Sequence, residues 1–159
     1  MAGALASPRR RLTAVALLLA CPWTVLVITG PNGTAVNGVF PLFVLDANLA
    51  LSPPVRVIPV WRFFLAGGGI PRNPELWPTS VLTYLVALAS AASGHVLGRE
   101  DPRFTGGALA LAGLTGLGVT WAFSHRLVYT SLPAGALAAL ALAWWYYGPA
   151  FRGTLGRDG

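Results

Sequence analysis

The sequence predicts an all-α integral membrane protein, a helical bundle of four transmembrane helices with an outer interfacial or re-entrant segment between spans one and two. Apolar runs at residues 12–30, 79–98, 106–124 and 130–148 each approach the ~20 residues that a helix needs to cross the hydrocarbon core. Hydrophobic residues make up 55% of the 159 and charged residues only 10%, where a soluble domain carries about 25% charged. The 11 basic residues are all arginines, and none falls inside a run. What remains outside four spans is too short for a second core, so residues 1–159 read as a single membrane domain.

The first run follows Arg9, Arg10 and Arg11, a layout shared with signal peptides. Leu18-Leu19-Ala20-Cys21 resembles the motif ahead of a lipidated cysteine. The apolar run nevertheless continues through Ile28, past the length of a signal core, so an uncleaved span is expected. Pro22 is expected to kink it by removing a backbone hydrogen bond. Gly30-Pro31-Asn32-Gly33 ends it with turn chemistry. A lone cysteine, Cys21, forms no intrachain disulfide.

Residues 31–78 form the outer segment. Its apolar stretches, 39–52 and 57–66, are short, interrupted by Asp46, Arg56 and Arg62, and broken by Pro41, Pro53, Pro54 and Pro59. Such lengths suit interfacial or re-entrant pieces; a fifth span across 39–65 is the alternative. Pro78 fits the first turn of span two. Arg99-Glu100-Asp101-Pro102-Arg103 reads as a solvated charged loop, with Thr105 as N-cap of span three. Residues 125–129 make a short link to span four, so consecutive spans are antiparallel neighbours.

Arginine bias sets orientation. Arg9, Arg10, Arg11, Arg99, Arg103, Arg152 and Arg157 fall on one side; Arg56, Arg62, Arg72 and Arg126 fall on the other. The expected placement is therefore the cell membrane, multi-pass, with both termini cytoplasmic. Trp77, Tyr84, Trp121, Phe123, Tyr129, Trp144, Trp145, Tyr146 and Tyr147 are expected as interfacial belt residues. The net charge of +6 is taken up by lipid phosphates in this arrangement, and no basic-aromatic stripe points to nucleic acid.

Four residues are the functional candidates: Asp46, Arg62, His95 and His125. Asp46 becomes costly, and needs a partner such as Arg56, Arg62 or Arg72, if its segment dips into the membrane. The two histidines are expected at opposite membrane faces, about 30 Å apart, too far to share a metal ion. No GxSxG elbow, HExxH pair or P-loop lysine is present, so catalytic residues, a metal site and a cofactor are not expected. Gly94-x-x-x-Gly98, the series Ala108, Ala112 and Gly116, and the pair Ala139 and Ala143 are small-residue stripes that let helices approach closely, within the protomer or across a dimer seam. Asn32-Gly33-Thr34 matches a glycosylation sequon.

Trp77-Pro78, the run from Tyr84 to Ala89, Gly98-Arg99-Glu100-Asp101-Pro102-Arg103, Arg126-Leu127-Val128-Tyr129, Leu132-Pro133-Ala134-Gly135 and Trp144-Trp145-Tyr146-Tyr147 together resemble an uncharacterised family of small multi-span membrane proteins from halophilic archaea. The resemblance covers residues 75–150 and implies a membrane location without an activity. The expected function is non-enzymatic: structural or accessory to a membrane complex, with membrane lipid and a homo-oligomer or partner membrane protein as partners. The alternative is a small transporter or channel subunit.

Overall fold

A computed structural model describes residues 7–30, 33–48, 52–65, 75–125 and 129–155. It corrects the expected fold class. The chain is not an all-helical bundle of four spans but a mixed α and β protein, with a five-stranded antiparallel sheet set against a helical layer. The elements are α1 (Pro8–Leu17), β1 (Thr24–Gly30), β2 (Gly33–Val39), β3 (Phe43–Ala47), β4 (Val55–Pro59), α2 (Val60–Leu65), α3 (Leu76–Val96), α4 (Pro102–Ser124), β5 (Tyr129–Leu132) and α5 (Ala134–Leu142). A π-helical turn (Ala143–Tyr147) then leads directly into α6 (Gly148–Leu155).

The first and fourth expected spans fail for one physical reason. Hydropathy cannot distinguish an apolar strand from an apolar helix. In run 12–30 the helix stops at Leu17, and Pro22 keeps it from resuming. The following Thr24, Val25, Val27, Ile28 and Thr29 are β-branched, which favours the strand they form as β1. In run 130–148, Tyr129 and Thr130 open β5, and α5 begins only after Pro133. The outer segment 31–78 is likewise not a set of short apolar helical pieces, nor a fifth helical span: its described residues hold β2, β3, β4, the short α2 and the start of α3. The sequon residue Asn32 lies outside the described residues.

The second and third runs are α3 and α4, each beginning about one turn earlier than expected. Asp101, not Thr105, caps α4. Its Oδ1 accepts from the backbone N–H of Arg103 at 2.9 Å and of Phe104 at 3.4 Å. Thr105 sits a turn inside the helix, where its hydroxyl donates to the Asp101 carbonyl at 3.1 Å and pairs with Ser90 at 2.7 Å. A hydroxyl carries one proton, so Ser90 is the donor of that pair.

α3 and α4 form an antiparallel hairpin. Ser80 donates to the Ala112 carbonyl at 3.0 Å, Ser90 meets Thr105, and Leu76 lies against Gly118. The small-residue stripes work within the protomer. Gly113 receives Leu140, and Gly116 receives Ala136 and Trp23. Gly94 faces Glu100, and Gly98 adopts φ +66° just past the end of α3, where the left-handed region turns the chain back. Gly98 of that GxxxG is therefore a helix stop, and Gly94 is the seat of Glu100. α1 closes the layer, with the buried Tyr84 hydroxyl donating to the Val15 carbonyl at 2.9 Å.

The sheet, in order β4-β3-β2-β1-β5, caps the end where α3 begins and α4 ends. Its inner face places Leu26, Val39 and Val44 on Trp77, Val119 and Phe123. Thr24 and Thr120 hydroxyls meet at 2.7 Å, and Ser131 donates to the Thr120 carbonyl at 3.0 Å. Pairing register puts Leu132, Val25, Gly38, Leu45 and Val57 in one row on the opposite face, with Thr130, Val27, Val36, Ala47 and Val55 in the next. Four expected belt residues, Trp77, Tyr84, Phe123 and Tyr147, are core residues instead. Trp121, Trp144 and Trp145 are exposed.

Candidate functional site

The end of the helical layer away from the sheet holds a buried ion pair. α1 points one face inward, carrying Arg11, Val15 and Leu18 at helical spacing. The turn after Gly98 delivers Glu100 to the same place, against the bare backbone of Gly94. Arg11 Nη2 and Glu100 Oε2 lie 3.0 Å apart, with side chains only 7% and 3% exposed. The Arg11 guanidinium carbon also stands 5.7 Å from the centre of the Tyr147 ring, within the range of a cation–π contact. The buried Tyr147 hydroxyl has Glu100 as polar neighbour. Tyr147 closes the π-helical turn and packs over Gly106.

This cluster corrects the expectation of a solvated loop. Asp101 is exposed and caps a helix, but its neighbour Glu100 is buried and paired. The chemistry of the cluster is that of a latch. A guanidinium and a carboxylate neutralise each other across α1, the α3–α4 turn and the π turn, so three separate chain segments are tied at one point. Arg11 Nε and Nη1 and both Glu100 oxygens lack a well-aligned hydrogen bond, so the attraction between the charges, and not a hydrogen-bond network, carries the contact.

The four residues singled out from the sequence lie elsewhere. Asp46 is half-buried on β3, in register with Asn37 and Arg56. The Asn37 amide, oriented to satisfy its neighbours, donates to Asp46 Oδ1 at 2.8 Å. Arg62 is exposed on α2. His95 is exposed in the last turn of α3. His125 is exposed just after α4, with Nδ1 2.9 Å from the Trp121 carbonyl and its ring edge-on to Trp121 at 5.1 Å. The histidines thus stand at opposite ends of the hairpin. Among the described residues no hydrogen bond or ion pair joins any two of the four. Sequence reasoning passed over Arg11, Glu100 and Tyr147. The available signal was Glu100 directly after the glycine stop of α3, a carboxylate carried back over a helix end.

No group of three or more His, Cys, Asp or Glu able to hold a metal occurs among the described residues. The cavity between sheet and hairpin, lined by Trp23, Val39, Phe40, Pro41, Trp77 and Val119, admits about 10 Å³, far below the several hundred Å³ of a small-molecule site. Charge divides by end. Arg9, Arg10, Arg11, Arg99 and Arg103 lie at the latch end, and Arg56 and Arg62 at the sheet end.

The chain belongs to a family described as a domain of unknown function (DUF8050), whose model matches residues 3–157. No curated protein matches it.

Proposed function

We propose that this member of the DUF8050 family is an integral membrane protein with a structural or accessory role in a membrane complex. α3 and α4 cross the bilayer, and the sheet sits at one surface. The carrying observation is the exposure of the two long apolar helices. Length and hydropathy alone are also met by the core helix of a soluble protein, but such a helix is mostly buried. Here only 28% of the apolar window of α3 and 50% of that of α4 lie inside the protein. Leu82, Leu85 and Val86 on α3, and Leu111, Leu114 and Trp121 on α4, face outward. Contiguous exposed apolar surface of that extent marks contact with lipid or a partner.

The excess of arginines at the latch end supports a cytoplasmic latch end, with the sheet on the opposite side. The outer rows of the sheet support the accessory role. They carry no formal charge, and Val36, Val55, Val57 and Leu132 are exposed there, so a partner surface would cover them. The resemblance of residues 75–150 to small membrane proteins of halophilic archaea supports the same placement.

The test is a charge on the outward helix faces. Leu82→Lys and Leu114→Lys are each expected to lower the yield of folded protein from membranes severely, because a lysine at the centre of a span costs about 2.5–3.5 kcal/mol. On a water-facing helix the same change stays within roughly 0.5 kcal/mol. Wild-type yields for both variants, or wild-type protein released by alkaline carbonate, would sink the membrane reading.

The buried Arg11–Glu100 pair favours one second reading, a small transporter or channel subunit, since ionisable groups within a helical layer commonly serve transport. Substrate-dependent flux in proteoliposomes of the pure protein, abolished by Glu100→Gln, is the result that would replace the accessory role.

A further inference from the structure

The outward face of α1 is built differently from the inward one. Arg9, Arg10, Thr13, Ala14 and Leu17 follow one another along it at helical spacing. Together with Tyr146 they line an open groove of about 460 Å³ between α1 and the π-helical turn. We propose that this groove holds one anionic phospholipid. The inference rests on the membrane reading above and names a ligand for a surface that the accessory role leaves unused.

The groove is polarised along its length. Two guanidiniums stand at the latch end. Leu17 lies about two turns further on, roughly 11 Å deeper. A headgroup followed by an acyl chain has that same order and scale. Arginine offers a planar fork of donors that suits phosphate oxygens. The two arginines are available for this. Glu100 is taken by Arg11, and among the described residues no carboxylate pairs with Arg9 or Arg10. Among the described residues the charge of the groove therefore lacks a counterpart, and an anion supplies it.

The length of α1 gives the second reason. Its 10 residues span only about 15 Å, half the hydrocarbon thickness. Leu17 at its end is 65% exposed. An acyl chain running past Leu17 completes the layer where the helix stops. A free phosphate would satisfy the arginines but leave Ala14 and Leu17 uncovered, so the occupant is the lipid.

Native mass spectrometry of the full chain, extracted from membranes in mild detergent, tests this. The probes are phosphatidylglycerol, phosphatidylcholine and inorganic phosphate. The expected result is retention of a single phosphatidylglycerol with about tenfold preference over phosphatidylcholine, not displaced by millimolar inorganic phosphate. Arg9→Gln/Arg10→Gln abolishes the preference. Arg99→Gln/Arg103→Gln, which removes the same charge from exposed residues outside the groove, leaves it intact. Equal retention of the two lipids, an equal effect of both double variants, or displacement by phosphate overturns the proposal. A chain recovered from cells without detergent would instead have lost the membrane reading, so the two failures are distinguishable.

Discussion

Arg11→Met is expected to destabilise the protein by about 3–5 kcal/mol, the usual cost of removing one partner from a buried ion pair. The substitution keeps the aliphatic stem but leaves the Glu100 carboxylate, 3% exposed, without its counter-charge. Glu100→Leu strands Arg11 in the same way, and its cost is of the same order. The informative variant is the double one. Arg11→Met/Glu100→Leu removes both charges and fills similar volume. Buried pairs replaced by apolar residues are commonly neutral or better, so it is expected to recover most of the loss of either single change. Thermal unfolding in mild detergent reads all four proteins. If the two single effects simply add in the double variant, Arg11 and Glu100 act independently and the latch does not exist.

Trp23→Ala is expected to cost about 3–5 kcal/mol, as large aromatic truncations in a packed core do. Trp23 is the joint between the two layers. It follows the turn out of α1, and its indole N–H donates back to the Leu18 carbonyl at 3.2 Å. Its own N–H donates to the Val39 carbonyl at 2.7 Å, one residue before β1 begins. Its ring stands edge-on to Tyr84 at 5.3 Å. Gly116 of α4 lies against the indole, and Gly135 of α5 lies against the Trp23 backbone, whose Cα a Cβ there would approach to 2.7 Å. A methyl at Gly116 would sit 3.1 Å from the indole carbon Cε3. Gly116→Ala is therefore expected to be more favourable in the Trp23→Ala background than in the wild type, because the methyl then enters the space left by the ring. Equal effects in both backgrounds would show that the ring does not set the approach of α4.

The helical hairpin was legible because its signals are local and redundant. α3 and α4 each combine an unbroken apolar run with proline near the start, and the five residues between them carry turn and cap chemistry. The sheet was not legible by the same measure. β1 and β5 are apolar enough to extend a hydrophobic run, and their strand character lies in branching at Cβ and in the flanking prolines. Thr24, Val25, Val27, Ile28 and Thr29, between Pro22 and the Gly30-Pro31 turn, spelled a strand once branching outweighed hydropathy. The latch lay beyond local signals. Arg11 reads like its neighbours Arg9 and Arg10, yet helical spacing sends it to the opposite face of α1. Its partner Glu100 comes from the far side of the chain, and no pattern in either segment announces the other. The single reading given to Arg9, Arg10 and Arg11, flanking arginines that set orientation, thus fails for Arg11 alone, which is buried.

The place of β5 has a consequence for the order of assembly. β1 pairs with β2 on one edge, Gly30 opposite Gly33, while its other edge receives β5, as in Val25 opposite Leu132. Roughly a hundred residues separate these two partners, and the closure of so long a loop is slow. β1 to β4 can pair as soon as residues 24–59 emerge, whereas the second edge of β1 stays open until the hairpin has gone out and come back. Only a chain that has made both passes returns residue 129 to the sheet. The last strand therefore reports on the hairpin: until α4 has folded back along α3, β1 keeps an unpaired edge, a template for pairing with another chain.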